Sequence, residues 1–325
     1  MPKRYSTKNL DVQKEPTGTS PGVGTFEFTD DYSVFHYGKM PDRIPGKGEA
    51  IARMAASNFE LFERNGVPTH YRGAIAPAKL EIDVLPAPNP DETPLGIDDG
   101  WYVVPLQVVY RNSLPSGASV FRRLDDGTAT LEQFGLSQRP EPGTNLEEPL
   151  IEFTTKREEI DRFIDEEEAK RIAGLSTEDL ERLKEMCRRI NALITEKAEA
   201  LGLEHADGKI EFGMLAPGEL ILVDNAGTPD ENRFLYDGCH IGKQVMRDFY
   251  LQGTLERDVQ EWAAAGRPRS AWPQPEPLPP GFIEPISEMY KSLAEAWTGE
   301  EIWGAPPLDE VVSTVRLLNT GAVNW

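Results

Sequence analysis

Lys209, Glu211 and Asp224 are the residues whose types and spacing carry the most chemistry. They lie in Asp207-Gly-Lys-Ile-Glu-Phe-Gly-Met-Leu-Ala-Pro-Gly-Glu-Leu-Ile-Leu-Val-Asp224, which reads as strands over 209–214 and 219–224 joined by a loop with Pro217 and Gly218. With Met214 opposite Glu219, Leu222 falls opposite Glu211 and Asp224 opposite Lys209. Side chains alternate along a strand, so this register puts Lys209, Glu211 and Asp224 on one face. Two carboxylates beside a lysine can hold Mg²⁺ against a nucleoside triphosphate, because hard cations take oxygen ligands. The same pattern fits a surface hairpin with an ordinary cross-strand ion pair, and Leu220 and Leu222 on that face favour this second reading.

The elements that must position these residues follow from periodicity and punctuation. Residues 1–24 are polar and rich in Gly, Pro, Ser and Thr, and strand signals begin at 25–29 and near 33–37. Pro45-Gly-Lys-Gly48 opens a helix to about Arg64, with Ile51, Met54, Ala55, Phe59 and Phe62 at helical spacing and Asn65-Gly66 as its stop. Strand patterns return at 69–72, 80–85 and 101–110, separated by the Pro-rich loop 86–94. Helical patterns occupy 156–172 and 177–201, the second with Ser176 and Asp179 as a capping pair and Gly202 as its end. After the hairpin come a helix over 243–251, a Pro-rich linker over 267–280, and helices over 283–297 and 308–318.

With 325 residues the chain can bury a large core and divide into domains. Its net charge of −21 opposes binding to nucleic acid or to anionic membranes, so a phosphate ligand needs locally gathered cations. Cys187 and Cys239 are too few for a disulfide framework or a thiolate zinc site, and no apolar run approaches a membrane span. The expectation is a cytoplasmic protein, with a homo-oligomer as an open possibility.

Several ordered segments resemble the SAICAR synthetase family, ligases that join aspartate to carboxyaminoimidazole ribotide using ATP. Phe28-Thr-Asp-Asp31 with Ile44-Pro-Gly-Lys-Gly-Glu49 matches one block, and Phe59-Glu-Leu-Phe-Glu-Arg-Asn-Gly-Val-Pro-Thr-His70 continues it. Val104-Pro-Leu-Gln-Val-Val-Tyr-Arg-Asn112 with Gly117-Ala-Ser119, and Glu148-Pro-Leu-Ile-Glu-Phe-Thr-Thr-Lys156 with Asp161, are similar to two more. The Lys-Ile-Glu-Phe-Gly hairpin, Thr228-Pro-Asp-Glu-Asn-Arg233 and Gly242-Lys-Gln-Val-Met-Arg247 complete the set, which covers roughly residues 25–251. The acidic balance and C-terminal extension look most like an archaeal branch.

The resemblance implies an α+β, two-domain fold with ATP in the cleft between the domains. Residues 1–104 would form the β-rich nucleotide-binding domain, 105–255 an α/β substrate and metal domain, and 256–325 a linker and helical extension. It implies that Glu211 and Asp224 hold Mg²⁺, and that Lys209 and Asp161 act at the transferred phosphoryl group and substrate carboxylate. Arg111 and Ser119 would bind the ribose phosphate, and Arg233, Arg247 and Lys243 anionic substrate groups. Lys156 and Lys47 would serve the nucleotide. The alternatives are a strand-end structural role for Arg111, solvated helix positions for Arg247, Lys156 and Asp161, and a bare Lys209–Asp224 ion pair. The resemblance also implies the partners: the ribotide, L-aspartate and ATP, and neither nucleic acid nor membrane.

Three departures accompany the resemblance. The family's Gly-Lys-x-Lys start has no lysine in Gly18-Thr-Ser-Pro-Gly-Val-Gly24, so the backbone of Gly22 and Gly24 is the expected phosphate cradle. The family's Ser-x-Phe-Asp is Ser33-Val-Phe-His36, and the acid after Asp224 is Asn225. These changes leave room for a paralogue with another amine or carboxylate, or for a nucleotide-binding fold without activity. His70, His205 and His240 show no ligand spacing and are expected to be satisfied internally.

Overall fold

Leu10, Phe26, Phe28, Leu80, Ile82 and Val84 alternate along their strands and turn one face of a sheet towards a helix. In the computed structural model, which describes residues 2–34, 37–156, 158, 161–216 and 218–319, the first elements are β1 (Lys3–Arg4), β2 (Lys8–Lys14), β3 (Gly22–Phe28), the hairpin β4 (Asp31–Val34) and β5 (Gly38–Arg43), helix α1 (Lys47–Arg64), β6 (Tyr71–Ala76) and β7 (Lys79–Val84). The antiparallel order is β1-β2-β3-β7-β6. Helix α1 packs so near β3 that a Cβ on Gly48 would stand 2.8 Å from the Phe28 carbonyl oxygen. Glycine therefore sets this helix-to-strand distance.

The second unit is built on β8 (Tyr102–Val103), β9 (Leu106–Leu114), α2 (Ser119–Asp125), β10 (Thr144–Thr155), β11 (Phe163–Ile164), α3 (Glu166–Ala173), α4 (Thr177–Glu199), β12 (Glu204–Ala216), β13 (Glu219–Val223), β14 (Asn232–Tyr236) and β15 (Cys239–Ile241). Helices α5 (Lys243–Leu251), α6 (Leu255–Ala264), α7 (Pro280–Thr298) and α8 (Leu308–Asn319) follow. The sheet runs β11-β10-β9-β12-β14-β15, and the far half of β12 also pairs with β13 and β8. The described residues are thus α+β, with two large sheets and the small β4–β5 hairpin. No helix among the described residues is long and apolar enough to cross a membrane.

Several expectations change. Within residues 1–24, read as a polar lead-in, β1 and β2 form, because β3 offers β2 an antiparallel partner from Lys8↔Phe28 to Lys14↔Val23, with one register shift after Val12. The strand over 101–110 is two strands, broken where Val104 donates to Phe212 and Pro105 cannot donate. The helix expected over 156–172 forms only from Glu166, where Asp165 caps the Glu168 N–H, while Phe163–Ile164 pairs with β10. Strand β10 and helices α2 and α6 were not anticipated. The capping box of Ser176 and Asp179 forms as expected.

The hairpin register is offset by one residue. Glu211 faces Val223 and Met214 faces Leu220, with a bulge before Ala216↔Glu219. Continued alternation would turn Asp224 to the face opposite Glu211. Instead β13 ends at Val223, and Asp224 takes a left-handed φ of 68° that re-aims its side chain.

Pro68–His70 joins the two sheets. Leu222 donates to the Pro68 carbonyl at 2.9 Å, His70 donates to the Leu222 carbonyl at 3.0 Å, and the same segment runs directly into β6. One hydrophobic cluster contains Leu10 and Phe26 of the first sheet, Phe212 and Phe234 of the second, and Tyr290 and Leu318 of the last helices. Urea unfolding should therefore be one cooperative step, with far-UV circular dichroism and tryptophan fluorescence superimposing. Two separated transitions would show that the sheets unfold independently.

Candidate active site

Strand β12 places the central side chains. Asp207, Lys209 and Glu211 alternate onto one face, about 7 Å apart by strand geometry. The neighbours of β12 change in this stretch: β14 pairs with residues 204–208, whereas β13 pairs with residues from Glu211 onward. Between them the Lys209 N–H donates to the Glu231 carbonyl at 3.0 Å, outside either ladder. A cleft of about 560 Å³ opens along this face. Its polar wall carries Lys8, Lys156, Lys209, Glu211, Asp224 and Glu231, and its apolar end Val12, Ile82, Val84, Leu85 and Val103.

Lysines hold the carboxylates. The Lys8 ammonium bonds the Asp224 carboxylate, and the Lys156 ammonium bonds Glu211. Lys209 Nζ stands 3.0 Å from Glu231 rather than on Asp224, which corrects the expected pair. Burial alone would raise the Asp224 pKa, but Lys8, then Lys156 and Lys209, pull it down to about 2. Burial raises the Asp161 carboxyl above its usual range, against the opposing pull of Lys209 and Lys156. His70 is driven down to about 4 by burial, against the pull of Asp224. Its Nε2 lies 3.1 Å from the Asp224 carbonyl, so this nitrogen carries the hydrogen and donates.

At the other end of the face, Arg111 lies on β9 opposite Asp207. Its Nε donates to Glu152 at 2.9 Å, Nη1 to Asp207 at 2.9 Å and Nη2 to Ser119 Oγ at 3.0 Å. Arg233 donates to the other Asp207 oxygen at 2.8 Å. Arg123, absent from the expected set, donates to Glu152 at 2.6 Å and stacks 3.8 Å from the Phe163 ring centroid. Burial and then Arg233 depress Arg247, whose buried Nε has no hydrogen-bond partner. Burial and then Arg247 lower the Lys243 amine to about 8. Arg111 and Arg233 thus meet on Asp207 and Ser119 joins them through Arg111, with Arg247 in the field of Arg233 and Asp207 and Lys243 in that of Arg247.

Three expected nucleotide residues lie elsewhere. Gly22 and Gly24 sit inside the β2–β3–β7 ladder, where a Cβ on Gly24 would come 2.6 Å from Val84 and 2.9 Å from Leu10. Their role is close packing of strands, and they do not line the cleft. Lys47 is internal: its Nζ bonds Asp230 at 2.5 Å and lies 5.4 Å from the Tyr290 ring centroid. Lys8, on a strand preceding the glycine-rich stretch, brings to the cleft a lysine that the sequence analysis did not single out. Its alternation with Leu10 and Val12 in Lys8-Asn-Leu-Asp-Val12 was the available signal.

Asn225 is buried and donates to Thr228 Oγ1 at 2.9 Å, a turn contact. His205 is satisfied by Thr195 and Asn232, whereas His240 Nδ1 is buried without a partner and His70 belongs to the cleft. His36, Pro217 and Trp325 lie outside the described residues.

Among the described residues no group of His, Cys, Asp or Glu forms a complete metal cage. Glu211 and Asp224 fit a smaller demand, that of an Mg²⁺ ion held by one or two carboxylates and completed by phosphate oxygens and water.

The SAICAR synthetase family model matches residues 17–262. A protein of Archaeoglobus fulgidus provisionally named phosphoribosylaminoimidazole-succinocarboxamide synthase is 38% identical, over 96% of this chain and 98% of its own length. The phosphoribosylaminoimidazole-succinocarboxamide synthase of Thermoplasma acidophilum is 30% identical, over 85% of this chain and 93% of its own. Among solved structures, a SAICAR synthetase in complex with ADP superposes with a TM-score of 0.63 at 23% identity, covering 93% of this chain and 99% of that one. The Saccharomyces cerevisiae SAICAR synthase complexed with SAICAR gives 0.64 at 19% identity, covering 92% and 95%. At these identities the structures speak for the fold.

Lys8 generates a direct test. A charge-assisted contact to phosphate contributes about 1.5–3 kcal/mol, so Lys8→Met should weaken ADP binding by roughly 10–100-fold in calorimetry, with an unchanged circular dichroism spectrum. An unaltered Kd would place the phosphates away from β2.

Proposed function

The chain belongs to the SAICAR synthetase family and is an ATP-dependent ligase of purine biosynthesis, and from that premise we propose how its residues divide the work. The carrying observation is the single face of β12, on which Asp207 with its two arginines, Lys209 and Glu211 succeed one another beside the cleft. The adenine of ATP lies at the apolar end near Leu85 and Val103, and its phosphates run towards Lys8, Lys156 and Lys209. Arg111 and Ser119 take the ribose phosphate of carboxyaminoimidazole ribotide, because the planar guanidinium grips phosphate oxygens at two points. The distance between these ends leaves the imidazole carboxylate at Lys209.

Glu211 and Asp224 are the carboxylates that hold Mg²⁺. When bound, the ion screens the negative charge of the phosphates. Lys8 and Lys156, which neutralise these carboxylates in the free protein, then turn to the phosphate oxygens. Lys209 steadies the charge that develops as a carboxylate oxygen of the ribotide attacks the γ-phosphorus and ADP leaves. The amino nitrogen of L-aspartate next attacks the acyl carbon of the mixed anhydride. Phosphate departs and the amide forms. Asp161, with its carboxyl raised by burial, accepts the proton that the amine must lose. Arg233, Arg247 and Lys243 counter the charge of the substrate anions. The reading without activity rested on an absent lysine, and Lys8 supplies that charge.

The primary test is turnover of purified protein with Mg-ATP, L-aspartate and carboxyaminoimidazole ribotide across a range of salt, following ADP and the succinocarboxamide. Product should require all three substrates. Glu211→Gln should reduce kcat at least about 100-fold with the fold intact, a loss expected when charge stabilisation at the reacting group is removed. Near-normal turnover would remove Glu211 from the metal site.

Lys243 generates a pH prediction. With its folded pKa near 8, it is cationic below that pH and neutral above it. The KM of an anionic substrate should rise as pH passes from 8 to 10 and stay flat in Lys243→Arg. The unfolded chain binds more protons here in that window, so this group's contribution to stability increases with pH over the same range. A wild-type KM that is constant from pH 7 to 10 would take Lys243 out of substrate binding.

A further inference from the structure

Helix α7 lies beyond the residues that the family model matches, yet it is fastened to the entry of α1, to Asn58 within that helix and to the turn beside Lys209. Ser287 Oγ donates to the Pro45 carbonyl at 2.5 Å, at the entry to α1. Trp297 Nε1 donates to Asn58 Oδ1 at 2.7 Å, and Asn58 in turn donates to the Ala226 carbonyl at 3.0 Å, two residues after Asp224. Between these anchors the Tyr290 hydroxyl donates to Asp230 Oδ1 at 2.9 Å, while Lys47 holds Oδ2. Tyr290, Lys47 and Asp230 are all buried, so water is a poor substitute for either donor.

Asp230 sits in a turn closed by the Glu231 and Asn232 N–H groups on the Thr228 carbonyl, at 3.0 and 2.9 Å. The next residue grips Lys209 twice. The Glu231 carbonyl accepts from the Lys209 N–H at 3.0 Å, and its carboxylate stands 3.0 Å from the Lys209 ammonium. Lys209 lies where β12 has left one neighbour and not yet met the next, so this turn is its support on that edge. The turn is in turn pinned by α1 and α7 through one carboxylate.

We infer that Tyr290 is a positioning residue for Lys209, acting through Asp230 and the 228–232 turn, and that helix α7 is a working part of the active site. The inference rests on the assignment of Lys209 to phosphoryl transfer. Tyr290 touches no reacting atom; it fixes where the lysine stands.

The test uses the full chain with Tyr290→Phe, Asp230→Asn, their double variant, and Leu293→Ala as a buried α7 change remote from the Asp230 contact. A misplacement of about 1 Å at a catalytic group can cost up to roughly 100-fold, so Tyr290→Phe should lower kcat about tenfold or more while the KM for ATP stays within about twofold. In the double variant, kcat should fall no further than in Asp230→Asn alone, because both changes break one link. Hydrogen exchange of the 228–233 peptide and of the Lys209 amide should accelerate in Tyr290→Phe beyond that in Leu293→Ala, compared at equal distance below each melting temperature. An unchanged kcat, additive losses, or equal effects from Leu293→Ala would each overturn the inference. If Tyr290→Phe fails to fold, Asp230→Asn against Leu293→Ala carries the same kcat and exchange comparison, and parity between them overturns it. Absence of product from the wild type would instead refute the functional reading, leaving the exchange comparison to decide whether Tyr290 holds the turn.

Discussion

Strand β12 cannot keep the same neighbours along its length, and the site exists because of that constraint. Its first residues pair with β14, its middle with β9, and its last with β13 and β8. A sheet that splits leaves backbone groups to be satisfied by something other than a ladder. Here the Glu231 carbonyl takes the Lys209 N–H, and Pro68–His70 covers the outer edge of β13. The split also opens a concave space above one face of the strand. Side chains on that face can meet a ligand without interrupting the hydrogen bonding behind them, so Lys209 and Glu211 line the cleft from the middle of the larger sheet.

Charge is the second constraint. With a net charge of −21 the protein repels anions at long range, yet its substrates are polyanions. The cleft answers locally, by placing Lys8, Lys156 and Lys209 against Asp224, Glu211 and Glu231, and Arg111 and Arg233 against Asp207. Half-buried charges of one sign alone would be costly, and pairing keeps the free protein folded. The same pairing makes the site exchangeable. On the proposed reading, a cation taken up by the carboxylates would release Lys8 and Lys156 towards phosphate. The depressed Asp224 pKa follows from this arrangement: the carboxylate is ionised across the working pH range and available for a cation throughout.

Much of this was legible in the sequence where a local pattern decides the outcome. Helix α1 had its apolar spacing and its Asn65-Gly66 stop, and α4 its Ser176 and Asp179 cap, because both depend on residues within a few turns. Arg111, Ser119 and Arg233 were singled out from ordered motifs, and the fold brings them together, both arginines on Asp207 and Ser119 on Arg111. The hairpin register was not readable, since a bulge before Ala216 shifts it by one and a left-handed Asp224 restores the carboxylate to the cleft. Two local irregularities cancel, and neither has a periodic signature. Lys47 looked like an anion site because it follows glycines at a helix start, but a buried acid from residue 230 claims it. Gly22 and Gly24 looked like a phosphate loop, but both pair with β7 and Gly24 also pairs with β2.

The misread regions share a physical cause. Strand β2 is polar at Asn9, Asp11, Gln13 and Lys14, and becomes a strand only because β3 lies beside it. The segment 156–165 carries helix-forming acids, yet β10 draws Phe163 and Ile164 into a short ladder before α3 begins. In each case a long-range partner outweighs a weak local preference. Such a segment can also help to complete a cleft, since it approaches the central sheet from outside it. Lys8 arrives on such a strand, whereas Tyr290 arrives from the other end of the chain on α7, a helix that its periodicity announced. Recognition by pattern is therefore weakest where the site is closed, and the contacts of Lys8 with Asp224 and of Tyr290 with Asp230 are visible only once the chain is folded.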